Sequence, residues 1–509
     1  MFESSDAMIL SPIQKQIIST SGNLIVRASA GTGKTHTMVN KIAKEINDNK
    51  SHKVVAAITF TIKAAQEIRE RLTVDSSQHF IGTNNSFAIE EVIKPFMKDV
   101  YGADFDCDMN TDYSLKIDTL EDGIQKIADE STLCSYNNNK ANFIFELAQQ
   151  IVETSTACRL YLQAKYFKIY IDEYQDCDKD MHKFFMYLCD KLGIETFVVG
   201  DEKQSIYIWR GAYPDAFKSI CQKNNFKKIF MGDNYRSCQQ IQNYSNLLCE
   251  ETRDLHVPID SIDNIVYLSA TSNTWVTEVL KKIDASQNSA LLRFSNANAK
   301  SGALLLERQG MEYVYIPQTP IADITTDSAW LYSAVAKYMI LDQYSVYDLI
   351  SEIPVEGNDS KKNVATIKDY LKNIETSINI EDVDEFESKI QDLAKYLGYS
   401  TRRNHIEKLF QTIIDSTFHV AFEPEKYQHI AITFHSSKGL EFDQVIIFAE
   451  DYRLSDMASI YNHYVAVTRA RYKLIIVRLN NYNSDVFHNN ITEIISTCNL
   501  HIGDVVSLV

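Results

Sequence analysis

The run Ala28–Thr35 (ASAGTGKT) holds the residue types that bind polyphosphate. Gly31 and Gly33 let the backbone wrap closely around an anion, and a helix starting just after them presents free N–H groups to anionic oxygens. Lys34 is placed to reach β- and γ-phosphates, and Thr35 to hold Mg²⁺ through its hydroxyl. Ala28 stands where the general pattern has its first glycine, so the strict signature is not met. A chance glycine loop is the competing reading, and the apolar run before the loop and helical pattern after it weigh against that. A second run, Phe167–Asp176 (FKIYIDEYQD), leads an apolar strand into two carboxylates. Asp172 at the strand end is a metal ligand by type, and Glu173 a base that orients an attacking water. A solvated Asp-Glu turn is the bland alternative, made less attractive by the GKT loop elsewhere in the chain.

Val198–Ala212 (VVGDEKQSIYIWRGA) adds Gln204, placed to sense a γ-phosphate. Tyr207 and Trp209 alternate with aliphatic residues ahead of Arg210. Aromatics beside a cation suit base stacking on single-stranded nucleic acid. The same alternation is equally that of a core strand. Phosphoryl transfer also needs positive charge at the transition state. Arg236 in DNYRS and Arg469 in YVAVTRARYKL are the two candidates for an arginine finger, though a lone arginine is more often a surface residue.

These residues need elements to position them. Asn23–Arg27, Lys53–Thr59, Phe167–Ile171 and Thr196–Val199 read as buried strands separated by helices, the pattern of a parallel α/β sheet. The alternation returns with Lys228–Met231, Ser289–Phe294, His429–Phe434, Gln444–Phe448 and Leu474–Val477. The expectation is two α/β cores. Phe87–Lys165 and Thr319–Glu423 break the rhythm and read as mainly helical insertions. The expected division is 1–87, 166–221 (first core), 88–165 (its insertion), 222–318, 425–509 (second core) and 319–424 (its insertion).

At 509 residues the chain holds several domains, and 45% hydrophobic with 23% charged residues is globular rather than disordered. With 16 glycines and 8 prolines, long flexible linkers are not expected. A formal charge of −17 argues against coating nucleic acid by bulk charge, while leaving room for a local basic track. Nine cysteines without a C-x-x-C fit reduced thiols better than disulfides or zinc. No basic leader and no apolar run near 18 residues is visible, so a cytoplasmic protein without a membrane span is expected.

In order, these motifs resemble the superfamily 1 helicases of the UvrD, Rep and PcrA group: LSPIQ ending at Gln14, the phosphate loop, Thr59–Arg71, DEYQD, GDEKQSIYIWRGA, NYRS, Thr433–Phe442 (TFHSSKGLEF) and AVTRA. The resemblance implies two RecA-like P-loop domains with parallel sheets. It implies ATP and Mg²⁺ in a cleft between them, and stepwise 3′-to-5′ movement along DNA. It assigns the whole loop (Ala28, Ser29, Ala30, Gly31, Thr32, Gly33, Lys34, Thr35) to nucleotide, with Gln14 reading adenine, Tyr235 stacking on it and Glu441 holding the ribose. Phe60, Tyr207, Trp209 and His435 are implied along a single-strand path. Asn84 and Asn85 depart from the group where an aromatic DNA contact is usual, and Arg293 and Phe294 depart from the usual order.

Tyr166–Gly211, Ile241–Leu247 (IQNYSNL), Ile316–Pro320 (IPQTP) and Phe80–Asn84 (FIGTN) resemble more narrowly the GajB family, the helicase-like subunits of Gabija anti-phage systems. That resemblance implies a partner nuclease of the OLD type, GajA, and a response to DNA ends or nicks. Two readings stay open: a DNA translocase or helicase, and a regulatory subunit that binds ATP and DNA and switches a nuclease by docking.

Overall fold

The computed structural model describes residues 10–105, 109–206, 212–213, 215–324, 326, 328–353, 363–379 and 382–509. Tyr207 and Trp209 lie outside the described residues, as does Arg210.

The first core opens with β1 (Leu24–Ala28), β2 (Val54–Thr59) and β3 (Phe80–Thr83). Its insertion carries β4 (Asn110–Ile117) and β5 (Thr132–Tyr136), after which β6 (Tyr166–Ile171), β7 (Glu195–Gly200) and β8 (Lys227–Met231) complete the sheet. The strand order is β3-β2-β6-β7-β1-β8, all parallel. A parallel sheet covered by helices on both faces needs unbroken apolar strands. β2 (VVAAIT) is buried at every position, and β6 and β7 nearly so. The second core holds β9 (Ile265–Ala270), β10 (Ser289–Arg293), β11 (Val314–Tyr315), β12 (His429–Thr433), β13 (Phe442–Phe448), β14 (Ala470–Leu479) and β15 (Ser507–Leu508). Their order is β11-β12-β10-β13-β14-β9-β15, again parallel.

One expectation is corrected. Lys228–Met231, read as opening the second core, pairs with β1 at the edge of the first sheet, with Leu24 opposite Lys227 and Ala28 opposite Met231. It is a half-exposed edge strand, and its composition fits either sheet equally. The first insertion, mainly helical, also holds two strands: β4 and β5 pair in parallel around the helix Leu120–Glu130. β4 is broken by Thr111, Asp112 and Ser114, so it lacks the clean alternation that marks a strand.

The insertions differ in their packing. The first shares one hydrophobic cluster with the first sheet, where Ile117, Leu133, Phe143 and Phe145 join Ile25, Ala56, Ile58 and Ile171. The second, built on five helices between Ala329 and Ile414, has a cluster of its own around Leu331, Leu371, Phe386, Leu393 and Leu409. The insertions meet where Arg402 pairs with Asp112 and donates to Ser114 Oγ at 3.1 Å, next to an antiparallel bridge between Asp112 and Thr326. Among the described residues no helix is long and apolar enough to cross a membrane.

Candidate nucleotide site between the cores

β1 ends at Ala28, and the helix Lys34–Asp48 begins six residues later. The intervening loop turns through left-handed conformations at Gly31 (φ 73°) and Gly33 (φ 81°), which glycine adopts without steric cost. A Cβ at Gly31 would lie 2.3 Å from Asn234 Oδ1, so the loop also needs a bare backbone for close approach. The loop lines a cleft of about 1440 Å³ between the cores. Gly31 to Thr35 face it from the first core with Asp172, Glu173, Asp176 and Gln204. Tyr235, Arg236, Lys438, Glu441 and Arg469 face it from across the cleft.

Asp172 follows β6, and the Thr35 hydroxyl donates to its Oδ2 at 3.3 Å. This hydroxyl–carboxylate pair, beside the glycine loop at the start of a helix, fits a nucleotide-bound Mg²⁺. Burial, together with the neighbouring Glu173 charge, pushes Asp172 up to about 7. Burial would raise Glu173 too, but Lys34 and Lys438 outweigh it and hold that carboxylate low. Glu173 sits at φ 48°, an unfavourable backbone for a residue with a side chain. Its Oε2 accepts from the Gln175 amide. Gln204 donates to Asp201 Oδ2 at 2.8 Å.

Across the cleft, Arg236 pairs with Glu441 at 2.7 Å and donates to the Thr468 carbonyl at 3.2 Å, leaving its buried Nε without a partner. Arg471 donates to the same Glu441 at 3.0 Å. Arg469 is fully buried, and it donates to the carbonyls of Val465 and Leu440 and to the Thr468 hydroxyl. Burial, with Arg236 adding a like charge, lowers Arg469 to about 10. Lys438 spans the interface, with its ammonium 2.6 Å from Asp176 Oδ2 and 3.3 Å from the Gln204 carbonyl. Burial pushes Asp176 up to about 6 against the pull of Lys438.

The other sequence-derived residues fall into distinct places. Gln14 is buried, closes a capping box with Ser11 and donates from Nε2 to the Thr32 carbonyl at 3.3 Å, so it braces the loop. Tyr235 is exposed at the cleft, with its N–H held by the Gly31 carbonyl. Ala28, Ser29 and Ala30 are buried and do not line the cleft. Phe60 is a half-buried part of its wall. His435 lies away from the phosphate loop beside exposed Phe294, with ring centroids 5.9 Å apart. Arg293 turns inward instead, onto Glu450, Asp451 and the Phe448 ring. Asn84 is buried with its amide against Met181 Sδ, so this departure faces the interior. Sequence reasoning gave no role to Lys438, Asp176, Asp201 or Tyr464. Lys438 and Asp176 stand inside quoted motifs, but the pairing that gives them a role spans 262 positions.

Two parallel-sheet cores facing each other across a P-loop cleft define a UvrD-like helicase fold. A family model described as an AAA domain matches residues 14–210, and one for the UvrD-like helicase C-terminal domain matches residues 429–477. The chain is 39% identical over 490 residues to Gabija protein GajB of Bacillus cereus (strain VD045), covering 94% of this chain and 98% of that one. The chain belongs to the GajB family. It is also 27% identical over 293 residues to DNA helicase II of Haemophilus influenzae, covering 47% of this chain and 40% of the helicase. To ATP-dependent DNA helicase PcrA of Staphylococcus aureus (strain Mu50) it is 28% identical over 286 residues, which is 45% of this chain and 38% of PcrA. The chain therefore aligns with well under half of either helicase's length.

Proposed function

We propose that this chain is an ATP-driven DNA motor of the UvrD type that acts in Gabija defence. The observation that carries the reading is the convergence in one cleft of Lys34, Thr35, Asp172, Glu173 and Gln204 with Arg236 and Arg469. The loop N–H groups and Lys34 bind the β- and γ-phosphates, and Thr35 and Asp172 hold Mg²⁺. The metal supplies charge neutralisation at the phosphoryl group. Glu173 orients and deprotonates the attacking water, and Gln204 senses the γ-phosphate. Gln14 and Tyr235 would recognise the adenine, and Glu441 would hold the ribose. Arg236 and Arg469 close from the second core onto the charge that develops. In this structure Arg236 is held by Glu441 and the Thr468 carbonyl, and Arg469 by the Val465 and Leu440 carbonyls, so a bound nucleotide competes with those partners.

Hydrolysis would open and close the cleft and carry the protein 3′ to 5′ along a single strand over Phe60, Tyr207, Trp209 and His435. DNA ends or nicks would be the substrate, the cytoplasm the setting and a GajA nuclease the partner. A second reading, a regulatory subunit that switches the nuclease with little unwinding, is favoured by the −17 charge and by the burial of Asn84. Steady-state ATP hydrolysis with and without single-stranded DNA separates the two. Strong stimulation by DNA supports the motor, and hydrolysis indifferent to DNA supports the switch. Lys34→Ala should remove at least about 100-fold of turnover, because the γ-phosphate loses its main counter-charge. Wild-type turnover in that variant would sink both readings.

A further inference from the structure

One side chain of the second core touches the phosphate loop from behind. Tyr464, on the helix Met457–Val467, is 1% exposed. Its hydroxyl accepts the Ala30 N–H at 3.1 Å and donates to Asp201 Oδ2 at 3.1 Å. That same Oδ2 accepts the Gln204 amide at 2.8 Å. The other oxygen of Asp201 pairs with Lys203 at 2.9 Å, and the Lys203 ammonium lies 5.3 Å over the Tyr464 ring. The Asp201 N–H donates to Gln175 Oε1 at 3.0 Å, and the Gln175 amide donates to Glu173. A continuous hydrogen-bonded path thus joins Glu173 to Gln204, and Tyr464 ties that path and the loop to the second core. Tyr464 does not line the cleft and would not touch nucleotide.

We propose that Tyr464 is a positioning residue: its hydroxyl reports contact between the two cores to Gln204 and to the phosphate loop. The proposal rests on the ATP-hydrolysis reading. With the cores together, the hydroxyl fills the Ala30 N–H and fixes Asp201. Asp201 then holds the Gln204 amide nitrogen and leaves the amide oxygen to the cleft. When the cores separate, Ala30 loses its acceptor and Asp201 a donor in one step. Water then takes the place of the hydroxyl without fixing Asp201, and a small displacement of a reacting or orienting group costs up to about 100-fold in rate. Turnover is therefore tied to closure by one hydroxyl group.

The test is Tyr464→Phe in the full chain, assayed with ATP, MgCl₂ and oligo(dT). This substitution keeps the ring and removes only the hydroxyl. If the Gln204 geometry depends on it, kcat falls about tenfold or more while KM for ATP stays within about twofold. Stimulation by oligo(dT) is lost at the same time, and the melting temperature barely moves. In a Gln204→Ala background the same substitution should cost nothing further in kcat, because both act on one group. Unchanged kcat overturns the proposal, and so does an equal loss in both backgrounds. A fall in melting temperature whose kcat deficit disappears on cooling assigns a structural role and also overturns it. Lys34→Ala reports on the underlying reading separately. If that variant keeps wild-type turnover, hydrolysis occurs elsewhere, whatever Tyr464→Phe does.

Discussion

The molecule is joined across its middle in two places, and the two joins are built differently. Between the cores the contacts fall on the nucleotide machinery itself: Tyr464 on Ala30 and Asp201, and Lys438 on Asp176 and the Gln204 carbonyl. Between the insertions, among the described residues, Arg402 meets Asp112 and Ser114 beside the Asp112–Thr326 bridge, and none of these lines the cleft. The packing follows the same division. The first insertion shares its hydrophobic cluster with the first sheet, whereas the second has its own hydrophobic centre. What binds in the cleft bears directly on the first join. The residues of the second join do not line the cleft.

The largest effect that would sharpen this contrast is on the two arginines. Arg236→Ala and Arg469→Ala should each reduce ATP turnover by about 10³-fold if they supply charge at the transition state. They should differ in stability. Arg469 satisfies the Val465 and Leu440 carbonyls inside the protein, so its loss should also lower the melting temperature. Equal melting temperatures for both variants would contradict the burial of Arg469. Next comes Lys438→Ala, which strands Asp176 without its cation. Breaking a buried pair costs about 3 kcal/mol, to be read from denaturant unfolding, and Asp176→Asn in the same chain should recover part of it.

Acid probes the cores through their buried imidazoles. Burial lowers His463 to about 3, and burial together with nearby Lys223 lowers His182 to about 4. Both are neutral when folded and bind a proton when unfolded below about 6.5. A base whose folded pKa is depressed contributes stability above its unfolded pKa and loses it as pH falls. Unfolding midpoints should therefore decline from about pH 6.5 toward 4, by at most about 1.4 kcal/mol per pH unit for each group. A flat profile from pH 7 to 5 would show that these rings are not shielded from water. The smallest effect belongs to Arg402→Ala. The Arg402 side chain is 37% exposed, so its loss should cost about 1 kcal/mol or less, with ATP turnover within about twofold of wild type. Faster amide exchange in β4 with unchanged turnover would establish the independence of the second join, and a large loss of turnover would refute it.

Much of the cleft could be read from local pattern. The strand, loop and helix around ASAGTGKT and the strand before Asp172 obey short-range rules, and the structure places those side chains in one cleft. What could not be read depends on pairing over long separations. Nothing near Lys438 announces Asp176, and nothing near Tyr464 announces Ala30. The sequence of β8 does not reveal its sheet, because an edge strand of mixed polarity fits either neighbour equally well. β4 was missed because Asp112 and Ser114 make a side-chain turn inside it, with the Asp112 carboxylate accepting from the Ser114 N–H. Asn84 is buried against Met181, and no local signal reveals that it points inward.

The left-handed backbone at Glu173 sets durability against turnover. The fold holds a carboxylate at φ 48° where glycine or asparagine would rest more easily. Glu173→Gly should therefore yield a chain that is inert and yet hardier, gaining about 1 kcal/mol in unfolding free energy while losing hydrolysis. Such a chain would keep its phosphate loop and its arginines, and would hold ATP without consuming it. Under the proposed function, drift toward stability at this position would be opposed by the need for catalysis, and retention of Glu173 in a relative would then mark a chain that still hydrolyses ATP.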